Sequence, residues 1–74
     1  MNKTMKKQIN KLVDDVLRIA EEMTEIKEQL QEQFDNMSEK RQEGATGEKL
    51  TAQIDKLDDL ITNLEYADDA RPEE

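Results

Sequence analysis

Apolar residues recur at Met5, Ile9, Leu12, Val16, Ile19, Met23, Ile26 and Leu30, separated by steps of 4, 3, 4, 3, 4, 3 and 4. An unbroken alternation of this kind is a heptad seam. It puts all eight side chains on one stripe of an α-helix, and it fits neither a strand nor a loop. Phe34 and Met37 continue the seam after one extra residue, a stutter that locally adjusts the supercoil. Residues 1–43 contain no proline or glycine and are rich in Glu, Gln, Lys, Leu and Met, all good helix formers. The seam predicts a first helix over about residues 3–42.

The segment EGATG, residues 43–47, holds both glycines of the chain. Gly44 suits the left-handed conformation that ends a helix, and Thr46 suits the cap of the next one. Leu50, Ile54, Leu57, Ile61 and Leu64 then repeat the 4, 3 spacing, with Glu48 placed to complement the helix dipole. A turn over 43–47 and a second helix over about 47–66 follow. Beyond Tyr66 the acidic stretch ADDARPEE lacks large apolar anchors, so residues 68–74 read as an acidic disordered tail. The expected fold is all-α: an antiparallel, coiled-coil-like helical hairpin over residues 1–67, with one long and one short helix, assembling into an oligomeric helical bundle.

Unequal arms raise the question of burial. At 1.5 Å per residue the second helix reaches about 30 Å and the first about 50 Å or more. Folding back from the turn, the short arm covers the long one only to about residue 22–25. The stripe from Met5 to Ile19 is left open, and Val13, Leu17 and Ala20 widen it. With 34% hydrophobic and 41% charged residues over 74 positions, the chain cannot build a thick core of its own. It has no cysteine for a disulfide and no histidine for a common zinc site, which leaves association as its support. Met5, Ile9, Leu12, Val13, Val16, Leu17, Ile19 and Ala20 are therefore the expected oligomer interface of a homo-oligomer, dimer or higher. A different protein docking on the same stripe is the alternative cover.

Nothing in the sequence assembles a reaction. Adjacent carboxylates such as Asp14/Asp15 and Asp58/Asp59 arise from an acidic composition and fall mostly on predicted solvent faces, not in the contrasting environments that acid–base catalysis needs. GATGEK lacks the full phosphate-loop spacing, and the region before it lacks the order of a calcium loop. No catalytic residue, cofactor or metal ligand is expected. Asn36, Ser38, Lys40, Arg41 and Gln42 could form a small polar surface at the turn, although such residues more often simply end a helix.

The charge is unevenly placed. Lys3, Lys6, Lys7, Lys11 and Arg18 against Asp14 and Asp15 give residues 1–18 a balance of +3, whereas the whole chain carries −8. Four lysines at the tip without stacking aromatics make a poor nucleic-acid site on so acidic a protein. Glu21, Glu25, Glu28, Glu32, Asp35 and Glu39 instead recur every three or four residues, an acidic partner face. Such a row can imitate a phosphate backbone and occupy a basic groove. The basic start is not followed by a continuous apolar run, so no signal peptide or membrane span is expected, and the expected location is the cytoplasm.

FDNMSEKRQEGATGEKL, followed by Ile54, Leu57, Leu60 and Leu64, resembles a stretch of small helical-hairpin proteins carried by bacteriophages and prophages. The resemblance covers roughly residues 26–65. It implies a phage or mobile-element origin, location in a host cytoplasm, and action by binding and disabling a host protein or defence system. It carries over no site residues. A non-enzymatic, oligomeric interaction protein with a protein target is the expected function. An acidic DNA mimic and a structural or assembly protein stand as alternatives, and a small ligand held between subunits stays open.

Overall fold

The computed structural model describes residues 1–73 as an elongated, all-helical chain with extents of 58 × 14 × 13 Å. Helix α1 spans Lys3–Asp35, the short α2 spans Glu39–Glu43 and α3 spans Ala45–Glu65; a 3-10 helix, Tyr66–Ala70, continues from α3. Asn2 starts α1 by accepting the Met5 backbone N–H on its side-chain oxygen at 2.8 Å. From there the heptad stripe and the helix-forming composition carry it without interruption for 33 residues.

The first helix ends at Asp35, not near residue 42 as the absence of glycine suggested. Side-chain capping decides the point. Ser38 accepts the Arg41 backbone N–H at 3.4 Å and starts α2, an alternative to continued helix that short polar side chains offer the backbone. The Gln42 side chain then reaches back and donates to the Phe34 carbonyl at 2.8 Å, an oxygen at the end of α1 that the Met37 backbone N–H also bonds at 3.1 Å. Ser38 and Gln42, read as members of a possible polar surface, are thus parts of the corner.

The turn expected at 43–47 is also displaced. Gly44 is extended, with φ −87° and ψ −174°, and serves as N-cap of α3, while Thr46 lies inside the helix. Gly47 is buried, and a Cβ there would overlap the Gln42 carbonyl and come within 2.7 Å of the Gln42 Cα. Glycine is required at 47 for this close approach of backbone to backbone, not for a left-handed turn.

Helix α3 runs back along α1. Lys27 Nζ meets an Asp58 carboxylate oxygen at 2.9 Å, and Arg71 meets Asp14 at 2.6 Å. The two pairs share one antiparallel register, since the residue numbers of each add to the same value. The expected disordered tail is corrected here through Arg71: the 3-10 helix runs to Ala70, and the Arg71 guanidinium bridges Asp68 at 2.6 Å and Asp14. Charge-assisted hydrogen bonds hold what composition alone read as free. Residue 74 of that expectation lies outside the described residues. The covered part of α1 extends to Asn10, which Arg71 Nη1 approaches at 3.4 Å, well past the expected limit of 22–25.

Gly47→Ala should destabilise the chain by about 1–3 kcal/mol, the usual cost of forcing atoms into an occupied space. Gly44→Ala, whose Cβ would meet backbone oxygens at 3.4 and 3.5 Å, should cost less than about 1 kcal/mol. Urea unfolding of both variants followed by circular dichroism measures the difference, and equal losses would refute the close-approach argument.

Candidate functional site

Val13 and Ala20 on α1 and Gly47 and Ile61 on α3 are the buried residues of the described chain. Seven-residue spacing extends each set to a contact line, with Lys27 and Phe34 on α1 and Ile54 on α3 half-buried. The line runs along the edge of the heptad stripe, not along its middle. Ala20, only 3% exposed, is small enough for the helices to approach there. Lys27 lays its stem along the line and carries its ammonium out to Asp58, a lysine at a core position that specifies register.

In an antiparallel pair, positions at equal offsets from the contact line lie on the same flank. One step before the line stand Leu12, Ile19 and Ile26 on α1, and Leu60 on α3. They are 61%, 39%, 51% and 41% exposed, and Met5 extends the row at 51%. One step after the line stand Asp14, Glu21, Glu28 and Asp35 on α1, with Glu48 and Asp55 on α3, all exposed. The molecule therefore has an apolar flank and an acidic flank, set by where the line falls.

The expected oligomer interface divides accordingly. Met5, Leu12 and Ile19 are open, and Ile9 and Val16 are half-buried beside them. Val13 and Ala20 lie under the returning arm, Ala20 at the end of α3 and Val13 at the 3-10 helix and Arg71, and are closed to any partner. Leu17 faces the other way, lining a shallow cleft of about 200 Å³ with Ala20, Glu21, Thr24 and Glu65. Ile26 and Leu60 were missed. Ile26 was visible as a seam member and Leu60 as a leucine outside the 4, 3 spacing of α3.

The acidic face holds together along α1. Glu21, Glu28 and Asp35 stand on the acidic flank, Glu25 and Glu32 sit one row further round, four residues after Glu21 and Glu28, and Glu39 lies beyond the corner on α2. Among the described residues no polar or charged side chain is buried, and no three acidic, histidine or cysteine side chains converge as a metal site. No helix of the described chain is long and apolar enough to cross a membrane. What the arrangement offers is recognition by two surfaces of opposite character.

Two basic groups are shifted. The hydrogen bond to Asp58 raises Lys27 above its ordinary 10.5, with partial burial opposing. Hydrogen bonds to Asp68 and Asp14 raise Arg71 in the same way. Compared with protein-family models, with curated proteins and with solved structures, the chain matches none.

Because Lys27 titrates higher folded than unfolded, the stability it contributes is fully present below pH 10.5 and is lost as pH rises through the raised value. The native chain should melt above an Asp58→Asn variant at pH 8, and the gap should close at strongly alkaline pH. Thermal melts across that range measure it; a gap indifferent to pH would show that the pair contributes no stability.

Proposed function

We propose that this chain is a non-enzymatic interaction protein: a helical hairpin that self-associates through its apolar flank and binds a protein target. The observation that carries the reading is the uncovered row Met5, Leu12, Ile19 and Ile26, joined by Leu60 across the helix pair. An apolar face of this length is seldom left to water in a small soluble chain. The pair withdraws only Val13, Ala20 and Ile61 as buried apolar side chains, too few to hold so long a helix by themselves.

The target-binding half of the proposal is of the phage type that the resemblance implies: a small protein made in a host cytoplasm that binds and inhibits a host protein or defence system. The acidic flank supports a second reading. Glu21, Glu28 and Asp35 repeat every seven residues, about 10.5 Å at the α-helical rise, and Glu48 and Asp55 run beside them. That doubled row of negative charge suits the basic groove of a nuclease or DNA-binding protein, as an acidic DNA mimic would.

Light scattering across two decades of concentration, with helicity followed in parallel, tests the self-association. The native chain should be a stable dimer or larger species, and Leu12→Glu with Ile19→Glu should be monomeric with its helicity retained. A native monomer at every concentration would sink this half of the reading. For the target, a bacterial host with an active defence system should plate phage more efficiently when it makes the chain. Reversing Glu21, Glu28 and Asp35 to lysine should abolish that gain under the mimic reading, and an unchanged gain would remove that reading.

A further inference from the structure

The outer face of α1 carries information about orientation. Lys11, Arg18, Glu25 and Glu32 stand at seven-residue spacing, one row beyond the Asp15 and Glu22 that border the apolar row, and all four are exposed. The row is basic in its N-terminal half and acidic in its C-terminal half. Asp15 interrupts the basic half and is held by Lys11 at 3.2 Å and Arg18 at 3.6 Å. Glu22 adds to the acidic half. A charge row of this kind complements a reversed copy of itself and repels a copy running the same way.

We propose that the occupant of the apolar flank is a second copy of this chain, related by a two-fold axis that sets the two α1 helices antiparallel. The inference rests on the self-association argued above and adds the face and the direction. In the register that alternates the two half-open rows, Ile19 packs by Met23 of the partner subunit and Leu12 by Leu30 of the partner subunit. The same register sets the basic end of each α1, with Lys11 and Arg18, beside the acidic half of the other, with Glu25 and Glu32. Helix α1 of one copy lies in the groove between α1 and α3 of the other, so Leu60 is covered as well. The partner's α3 then lies along the N-terminal overhang, Met5 and Ile9, that each copy's own α3 does not reach.

The areas agree. A compact monomer of 8.6 kDa is expected to expose about 4,700 Å², whereas this chain exposes 5961 Å². The excess, about 1,300 Å², is larger than the roughly 800 Å² that each partner contributes to an interface of standard size. A target protein on the same flank would leave the self-complementary charge row unexplained.

The chain has no cysteine, so single thiols can report the orientation cleanly. Leu12→Cys and Ile26→Cys variants, mixed in equal amounts and each alone, are treated with a short bismaleimide; light scattering gives the oligomeric state, and a denaturing gel separates coupled from uncoupled chains. In the antiparallel arrangement positions 12 and 26 of opposite copies lie about 6 Å apart along the axis and two copies of position 12 about 27 Å apart. Cross-linked heterodimers should dominate, and the Leu12→Cys variant alone should stay uncoupled. Efficient coupling of that variant with itself would establish a parallel pairing and overturn the inference. A dimer that couples in neither mixture would place the interface on another face, overturning this inference while self-association stands. A monomer would remove both. As an independent check, Lys11→Glu/Arg18→Glu and Glu25→Lys/Glu32→Lys chains should each associate more weakly than the native chain and recover when mixed; failure to recover would also count against the antiparallel register.

Discussion

Two helices share one line of contact, and this chain carries more apolar rows than a single line can bury. The line that α3 and the 3-10 helix after it occupy, from Val13 through Ala20 and Lys27 to Phe34, therefore decides everything beside it. Had it run through the middle of the heptad stripe, both flanks would be mixed in character. Running along the edge, it leaves leucine and isoleucine on one side and aspartate and glutamate on the other. Ala20 favours this edge because it is small where the helices come close, and the bond between Lys27 and Asp58 holds the register once they do; Gly47 lets α3 start against the Gln42 backbone at the corner.

The long helix was legible from the spacing of Met5 through Leu30, and so was the shorter one that returns. The edge was not. Periodicity defines a stripe and says nothing about which part of it a partner takes. Here the choice turned on an alanine and a lysine, residue types that no hydrophobic pattern selects. The corner was misplaced for a related reason. Glycine at 44 is the conspicuous helix breaker in the sequence, yet the capping bonds of Ser38 and Gln42 end one helix and start the next. Arg71 sits among acidic residues and a proline, so its neighbourhood suggested disorder. Its partner Asp14 is 57 positions away, and contacts of that separation leave no local trace.

The candidate site followed the same division. Met5, Leu12 and Ile19 could be recognised as exposed-face residues because they belong to the uninterrupted seam. Val13 and Ala20 looked like a second open row only because the short arm was expected to stop near residue 22. Five residues of 3-10 helix and one arginine carry the cover further down α1 than α3 alone could reach. What remains open is narrower than the sequence suggested but longer, extending through Ile26 and across to Leu60.

Net charge gives the last constraint. Two copies carrying −8 each repel one another at long range, so an apolar flank alone would meet an electrostatic barrier to closing. The barrier depends on where the charge is. Lys3, Lys6, Lys7, Lys11 and Arg18 make the N-terminal end of α1 basic while the rest of the chain holds the negative excess. An antiparallel arrangement places each basic end against the partner's acidic half, and attraction within a Debye length, about 8 Å at physiological salt, then opposes the repulsion between distant charges. A parallel one would gather both basic ends together and both acidic bodies together. In the proposed dimer the same rotation would carry the acidic flank of each copy, from Asp14 to Asp35, to the outside of the assembly. The polarity of α1 would then serve two ends: it would orient the copies toward each other and keep the strongest negative surface free for a different, basic partner.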